Sequence, residues 1–285
     1  MSQPADVRAS TCYRHPDRVS YVLCQRCGRT ICPECQTPAA VGVICPECMA
    51  QQRATAPKTK PAILTRMTGR GAPVITYTLI GICVLVYILQ SLPGIGGTIT
   101  QAIQYAGAYS YPTGTFGGVA FEPWRLLTTV FAHASILHIA LNMYTLWVFG
   151  MLLEPLLGRA RFLALFLISG FAGSVAVLLI ASPVQPVVGA SGAIFGMLGA
   201  FLVIQRRLGG NATQLFILVG INLVIGFIPS FGIAWQAHVG GLIAGVLVGL
   251  IYVETRTPAR RRLQIPLLVV LCLILVALSL IHLFA

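Results

Sequence analysis

Charge is what this 285-residue sequence has least of. Only 9% of its residues are Asp, Glu, Lys or Arg, against roughly 25% in an ordinary soluble domain. Acid is scarcest: there are seven Asp and Glu residues in all, and none lies between Glu154 and Glu254. Lysine occurs twice, at Lys58 and Lys60. A hydrolase using groups in the second half of the chain therefore has neither a carboxylate to orient a histidine nor a lysine to serve as base. No apolar leader precedes the first long apolar run, so no signal peptide is expected.

What is present is apolar, 56% of residues counting Ala, Cys and the aromatics. A membrane-crossing helix needs roughly 20 mostly apolar residues. Seven segments qualify, near 74–92, 134–153, 162–181, 188–205, 213–230, 235–253 and 265–284. The formal charge of +12 sits in short clusters between them, as in loops facing anionic lipid, so no nucleic-acid partner is expected. Arg159 with Arg161, Arg206 with Arg207, and Arg256 with Arg260–Arg262 occupy alternate loops. Lys58, Lys60, Arg66 and Arg70 precede the first span, while the other loops carry Glu122 alone, with Arg125 just beyond. The positive-inside rule then predicts a cytoplasmic N-terminus and a C-terminus outside. The first outer loop, 93–123, is long and rich in Gly, Tyr and Phe, which favours a functional or membrane-lying segment over a free linker.

Ionisable groups inside a bilayer are costly and point to function. With this topology His133 and His138 lie at the outer end of span 2, Ser191 near the outer end of span 4, and His238 near the outer end of span 6. Three distant segments thus place polar groups at one depth. Ser191 stands in Gly189-Ala-Ser191-Gly192, where glycines leave a hydroxyl accessible. Gly192 with Gly196, and Gly241 with Gly245, form small-residue faces that let two helices pack closely. Such packing would bring Ser191 within reach of His238 as nucleophile and base. Phe195, one turn beyond Ser191, shares its face and could pack on the His238 ring. His138 and Asn142, four apart, share a face of span 2. With the Ser191 amide they could bind an oxyanion, His133 adding a donor. Each piece has a plainer reading: a packing serine, a helix-bridging histidine, a metal ligand or a proton path. Their conjunction at one depth favours catalysis.

Trp124-Arg125, the His133/His138/Asn142 set, the Gly189–Gly196 stretch and Ala237-His238-Val-Gly240-Gly241 with Gly245 together resemble the rhomboid intramembrane proteases over about residues 73–253. The resemblance implies an all-α polytopic membrane protein with a six-helix core, here followed by a basic loop and a seventh transmembrane helix (254–285). It implies a Ser191–His238 dyad needing no catalytic cofactor, an oxyanion site of His138, Asn142 and the Ser191 amide, and cleavage of single-span proteins near the outer membrane boundary. The expected setting is the lipid bilayer of a bacterial cytoplasmic membrane. Phe195 stands where the family often has Tyr. Two other readings fit less well: a non-catalytic rhomboid-like adaptor binding transmembrane clients, disfavoured by retention of Ser191 and His238, and a transporter, disfavoured by the lack of an inverted repeat.

Seven of nine cysteines fall between Cys12 and Cys48. Cys83 and Cys272, alone in apolar segments, read as packing residues. The order Cys12-x2-His15, Cys24-x2-Cys27, Cys32-x2-Cys35, Cys45-x2-Cys48 supplies eight soft ligands in four pairs, enough for two structural zinc ions. Disulfides are disfavoured in a cytoplasmic module. Residues 10–50 thus form a small zinc-binding domain, joined by a basic linker (51–72) to the membrane region. The spacing resembles B-box-type zinc fingers more than RING domains. That resemblance implies cross-braced sites, Cys12/His15/Cys32/Cys35 and Cys24/Cys27/Cys45/Cys48, with sequential pairing as the alternative. Docking to an unknown cytoplasmic protein is the expected role.

Overall fold

The structure is a computed structural model describing residues 10–39, 41–55, 73–210, 212–228 and 232–284. The basic segment 56–72, with its four predicted inside charges, lies outside them. The chain divides into two compact units near residue 62.

In the first unit two-residue strands pair antiparallel, β1 (Ser10–Thr11) with β2 (Val19–Ser20) and β3 (Thr37–Pro38) with β4 (Val43–Ile44). Helix α1 (Pro46–Thr55) follows. Proline in its first turn costs no hydrogen bond, and Glu47 there suits the positive helix end. The helix therefore continues through Gln51–Thr55, which the sequence reading had placed in the linker.

The second unit is a helical bundle: α2 (Val74–Gln90), α3 (Gly96–Ile103), α4 (Ile136–Leu157), α5 (Arg159–Ile180), α6 (Ser191–Arg207), α7 (Thr213–Gly226), α8 (Trp235–Glu254) and α9 (Gln264–Ser279). Seven of these fall on the seven apolar segments, and α3 lies in the long loop. Three helices (α4, α5 and α8) and the stretch Arg261–Ser279 are long and apolar enough to cross a membrane; α2 and α7 are shorter apolar helices. Helix α6 has 17 residues, about 26 Å at 1.5 Å per residue, and is largely buried among its neighbours. Large apolar side chains face outward instead, such as Leu137, Leu141 and Tyr144 on α4 and Val269, Leu273 and Val276 on α9. In water such a surface would drive association, but against lipid it is the favourable face. The chain is an integral membrane protein.

Glycine sets the centre of the bundle. A β-carbon at Gly241 would overlap the Gly192 carbonyl, and one at Gly245 would overlap the Gly196 backbone. One at Gly192 would stand 3.1 Å, and one at Gly173 2.9 Å, from the Ala237 carbonyl oxygen. Helices α5, α6 and α8 thus meet backbone to backbone, the contact small residues allow in lipid. Cys83 is fully buried in the core on α2, while Cys272 on α9 is half-buried.

Glu154, near the end of α4, is buried and accepts hydrogen bonds from the Ile75 and Thr76 amides (2.9 and 2.7 Å) and the Thr76 hydroxyl (2.7 Å). It caps α2, whose first-turn N–H groups lack intrahelical partners and carry partial positive charge. The long loop 93–123 is ordered by Arg125. Its guanidinium pairs with Glu122, donates to the Gln101 and Gln104 carbonyls and lies 4.0 Å over the Tyr109 ring. Glu122 is thereby held in an ion pair beside α3.

Candidate active site and metal centres

Helix α6 begins at Ser191, and its first intrahelical bond runs from the Ile194 amide to the Ala190 carbonyl (3.0 Å). The amides of Ser191, Gly192 and Ala193 therefore have no acceptor within the helix. They make its N-terminus an electropositive, anion-favouring end. The preceding residue pair fixes that end in place. Gly189 has φ +128°, a left-handed value that favours glycine. A β-carbon there would sit 2.8 Å from both Cε1 and Nε2 of His138, and 3.8 Å from the Ser191 hydroxyl oxygen. The His138 imidazole and the Ser191 hydroxyl thus border the same glycine. The Gly189 amide donates to the Thr129 carbonyl (3.0 Å), and the Thr129 hydroxyl donates to the Val187 carbonyl (2.6 Å).

Ser135 caps α4, accepting from the His138 amide (3.2 Å). The Ala134 amide reaches His138 Nδ1 at 3.5 Å, a weak bond that favours the tautomer with hydrogen on Nε2. Nε2–H then becomes a donor toward the serine. Asn142 is buried and donates one amide hydrogen to the His138 carbonyl (2.8 Å), leaving a second. His133 lies behind His138, their ring centroids 5.3 Å apart at 66°. It is 2% exposed, and neither ring nitrogen has a partner among the described residues. Its amide donates to the Gln90 side chain (3.0 Å), which in turn donates to the Thr100 hydroxyl (3.0 Å). Gln90 closes an apolar run, and no local pattern in the sequence ties it to His133.

His238 is buried in the first turns of α8, its ring stacked on Phe195 at 4.1 Å and 13°. Phe195 is one turn below Ser191 on α6, so the stack holds the imidazole against the serine-bearing face. Nδ1 has no partner among the described residues and is directed toward Gly226 of α7, where a β-carbon would stand 3.7 Å away. Nothing in the sequence marked Gly226. No carboxylate approaches this ring among the described residues.

The Rhomboid domain family model matches residues 120–255, the stretch holding His133, His138, Asn142, Ser191, Phe195 and His238. The chain is 37% identical over 193 residues to Rhomboid protease GluP of Bacillus subtilis (strain 168), covering 66% of this chain and 36% of that protein. To the rhomboid protein YdcA of the same organism it is 36% identical over 141 residues, 47% of this chain and 70% of YdcA. The chain belongs to the rhomboid family. It is also 38% identical over 142 residues to RHOMBOID-like protein 6, mitochondrial, of Arabidopsis thaliana, covering 46% of this chain and 44% of the relative. This rhomboid thus spans less than half the length of GluP and of the Arabidopsis relative.

The N-terminal unit of the rhomboid gathers its eight candidate ligands into two quartets, Cys12/His15/Cys32/Cys35 and Cys24/Cys27/Cys45/Cys48, each with ligand atoms within 4.8 Å of one another. This is the cross-braced grouping, not the sequential one. His15 Nδ1 lies 3.8, 3.4 and 3.4 Å from the sulfurs of Cys12, Cys32 and Cys35, and the Cys27 and Cys45 sulfurs are 3.8 Å apart. A tetrahedral zinc ion with 2.3 Å Zn–S bonds sets such edges at about 3.6–3.8 Å. Acidity supports the fit. Burial would raise the Cys12 and Cys24 thiols, yet neighbouring backbone amides bring each down to about 6. Cys35 is pushed up to about 11 by burial and the adjoining sulfurs, and Cys48 to about 12 by Cys45 and burial. A bound cation would favour the thiolate form of the three cysteines in one quartet and the four in the other. Arg29 donates to the Cys27 sulfur (3.3 Å) while its guanidinium stacks on Tyr13 at 4.3 Å, a charge-balancing contact outside the ligands.

Proposed function

We propose that this rhomboid is an intramembrane serine endopeptidase with Ser191 as nucleophile and His238 as general base. The observation that carries the reading is the Phe195–His238 stack one turn below Ser191, between helices α6 and α8 in backbone contact. With Nδ1 turned toward Gly226, Nε2 is the nitrogen available to the serine. It takes the hydroxyl proton as Oγ attacks the scissile carbonyl, then gives that proton to the departing amine. Water repeats the sequence on the acyl-enzyme. The oxyanion would meet the Ser191 amide at the positive end of α6, His138 Nε2–H and the free amide hydrogen of Asn142. The burial of His133 behind His138 favours a supporting part for it over that of a direct donor. Gly189 and Gly192 keep the approach to Ser191 open.

The substrates would be single-span membrane proteins cut near the outer boundary, with the N-terminal unit in the cytoplasm, open to a protein partner there. Cys12, His15, Cys32 and Cys35 would hold one zinc ion and Cys24, Cys27, Cys45 and Cys48 another, both closed and structural.

Cleavage of a model single-span substrate in liposomes tests the mechanism. Ser191→Ala and His238→Ala, each checked for intact helicity, are expected to lose activity by at least about a thousandfold. A serine-reactive fluorophosphonate should label wild type and not Ser191→Ala. Cleavage surviving Ser191→Ala would remove this mechanism.

A further inference from the structure

The seventh helix carries no residue of the proposed chemistry, yet its outer end is tied to the loop that shapes the serine's turn. Just beyond α9, His282 stacks on Tyr111 of the long outer loop, ring centroids 4.2 Å apart at 13°. Phe116 meets the same Tyr111 ring edge-on at 5.0 Å. Leu278, one turn earlier, packs into the cluster around the fully buried Tyr105, together with Tyr109, Tyr111 and Val187. Tyr105 and Val187 pair as an isolated antiparallel bridge, Tyr105 N–H to Val187 C=O at 3.1 Å and Val187 N–H to Tyr105 C=O at 2.7 Å. Val187 stands two residues before Gly189, the left-handed residue that seats His138 beside Ser191. An unbroken run of contacts therefore joins His282 to the nucleophile's turn through Tyr111, the Tyr105 cluster and the Val187 bridge.

We propose that His282 is a positioning residue: its stack on Tyr111 braces the outer loop, and the brace holds the Tyr105–Val187 bridge that sets the entry to α6. The planar overlap of the two rings does this work, so an aromatic ring without the imidazole nitrogens should serve. The structural part stands independently of the proteolytic reading. The effect on Ser191 rests on that reading.

The test is hydrogen exchange of the full chain in detergent, followed at the Tyr105 and Val187 amides without substrate. Losing one stacked pair should speed exchange there roughly two- to tenfold in His282→Ala, leaving the α6–α8 amides unchanged. His282→Phe should restore protection. Tyr111→Ala should match His282→Ala, and the double variant should add nothing further. Unchanged exchange in His282→Ala, or a phenylalanine variant as loose as the alanine one, overturns the brace. Independent, multiplying effects of the two alanine changes overturn it as well. A second arm follows fluorophosphonate labelling of Ser191, which should slow by a similar factor in His282→Ala and recover in His282→Phe. Faster exchange with unaltered labelling rejects His282 as a positioning residue. If wild type labels nowhere, the proteolytic reading fails by itself, and the exchange data still decide the brace.

Discussion

The two units of this chain keep their shapes by opposite means. In the N-terminal unit the buried cluster contains six cysteines and only two isoleucines, Ile31 and Ile44. Its strands are two residues long. So little apolar surface does not offset the entropy of ordering the chain, and the sulfur quartets imply that metal supplies the balance. The membrane unit has apolar surface everywhere, inside and out, so hydrophobicity cannot tell its helices where to meet. Glycines such as Gly173, Gly192, Gly196, Gly241 and Gly245 do so, because a missing side chain lets backbones touch. One unit is specified by what its side chains bind, the other by where side chains are missing.

The comparison breaks most readily at the metal. If the quartets hold zinc as proposed, a chelator removes a contribution that is about 10–16 kcal/mol in small zinc modules. It should unfold residues 10–55, seen as lost amide dispersion, while the membrane unit keeps its thermal midpoint. A shared collapse of both units would overturn the division. Next in size is Gly241→Val, whose side chain would drive into the Gly192 carbonyl. It should cost about 4 kcal/mol or more in the membrane unit, read as a lowered unfolding midpoint in detergent, with metal content unaltered. His138→Ala removes one of the proposed oxyanion donors. A fall of about a hundred- to a thousandfold in kcat at near-constant stability is expected from single-turnover cleavage, and an unchanged rate would remove His138 from the oxyanion site. The smallest effect belongs to Glu154→Gln, which keeps the shape of the α2 cap and removes its charge. A loss of about 1–2 kcal/mol should appear in the unfolding midpoint, with cleavage by the folded fraction unaffected.

Much of the candidate site was legible because its residue types are so costly in lipid that each histidine or asparagine stood out by position alone. Spacing also carried real geometry. Phe195 follows Ser191 by one turn, and the His238 ring is stacked on it. The four Cys/His pairs signalled metal chemistry, but pair spacing is the same in cross-braced and sequential sites, so the grouping needed the folded backbone. The support of His133 by Gln90, the role of Glu154 as a helix cap and the direction of His238 Nδ1 toward Gly226 were not legible. Each joins residues far apart in sequence through a contact no local pattern encodes.

By itself, then, the sequence determined where the apolar helices run, and that the stretch between Glu154 and Glu254 supplies neither acid nor lysine to the serine and histidine. Those follow from composition and period, properties of single segments against lipid or water. Tertiary structure alone decided which thiols gather into a quartet, which carbonyl each glycine meets, and that an outlying helix reaches the loop beside Ser191. Those are distances between segments, and in a bundle whose surfaces are all apolar, only the packed arrangement selects among the many contacts that periodicity permits.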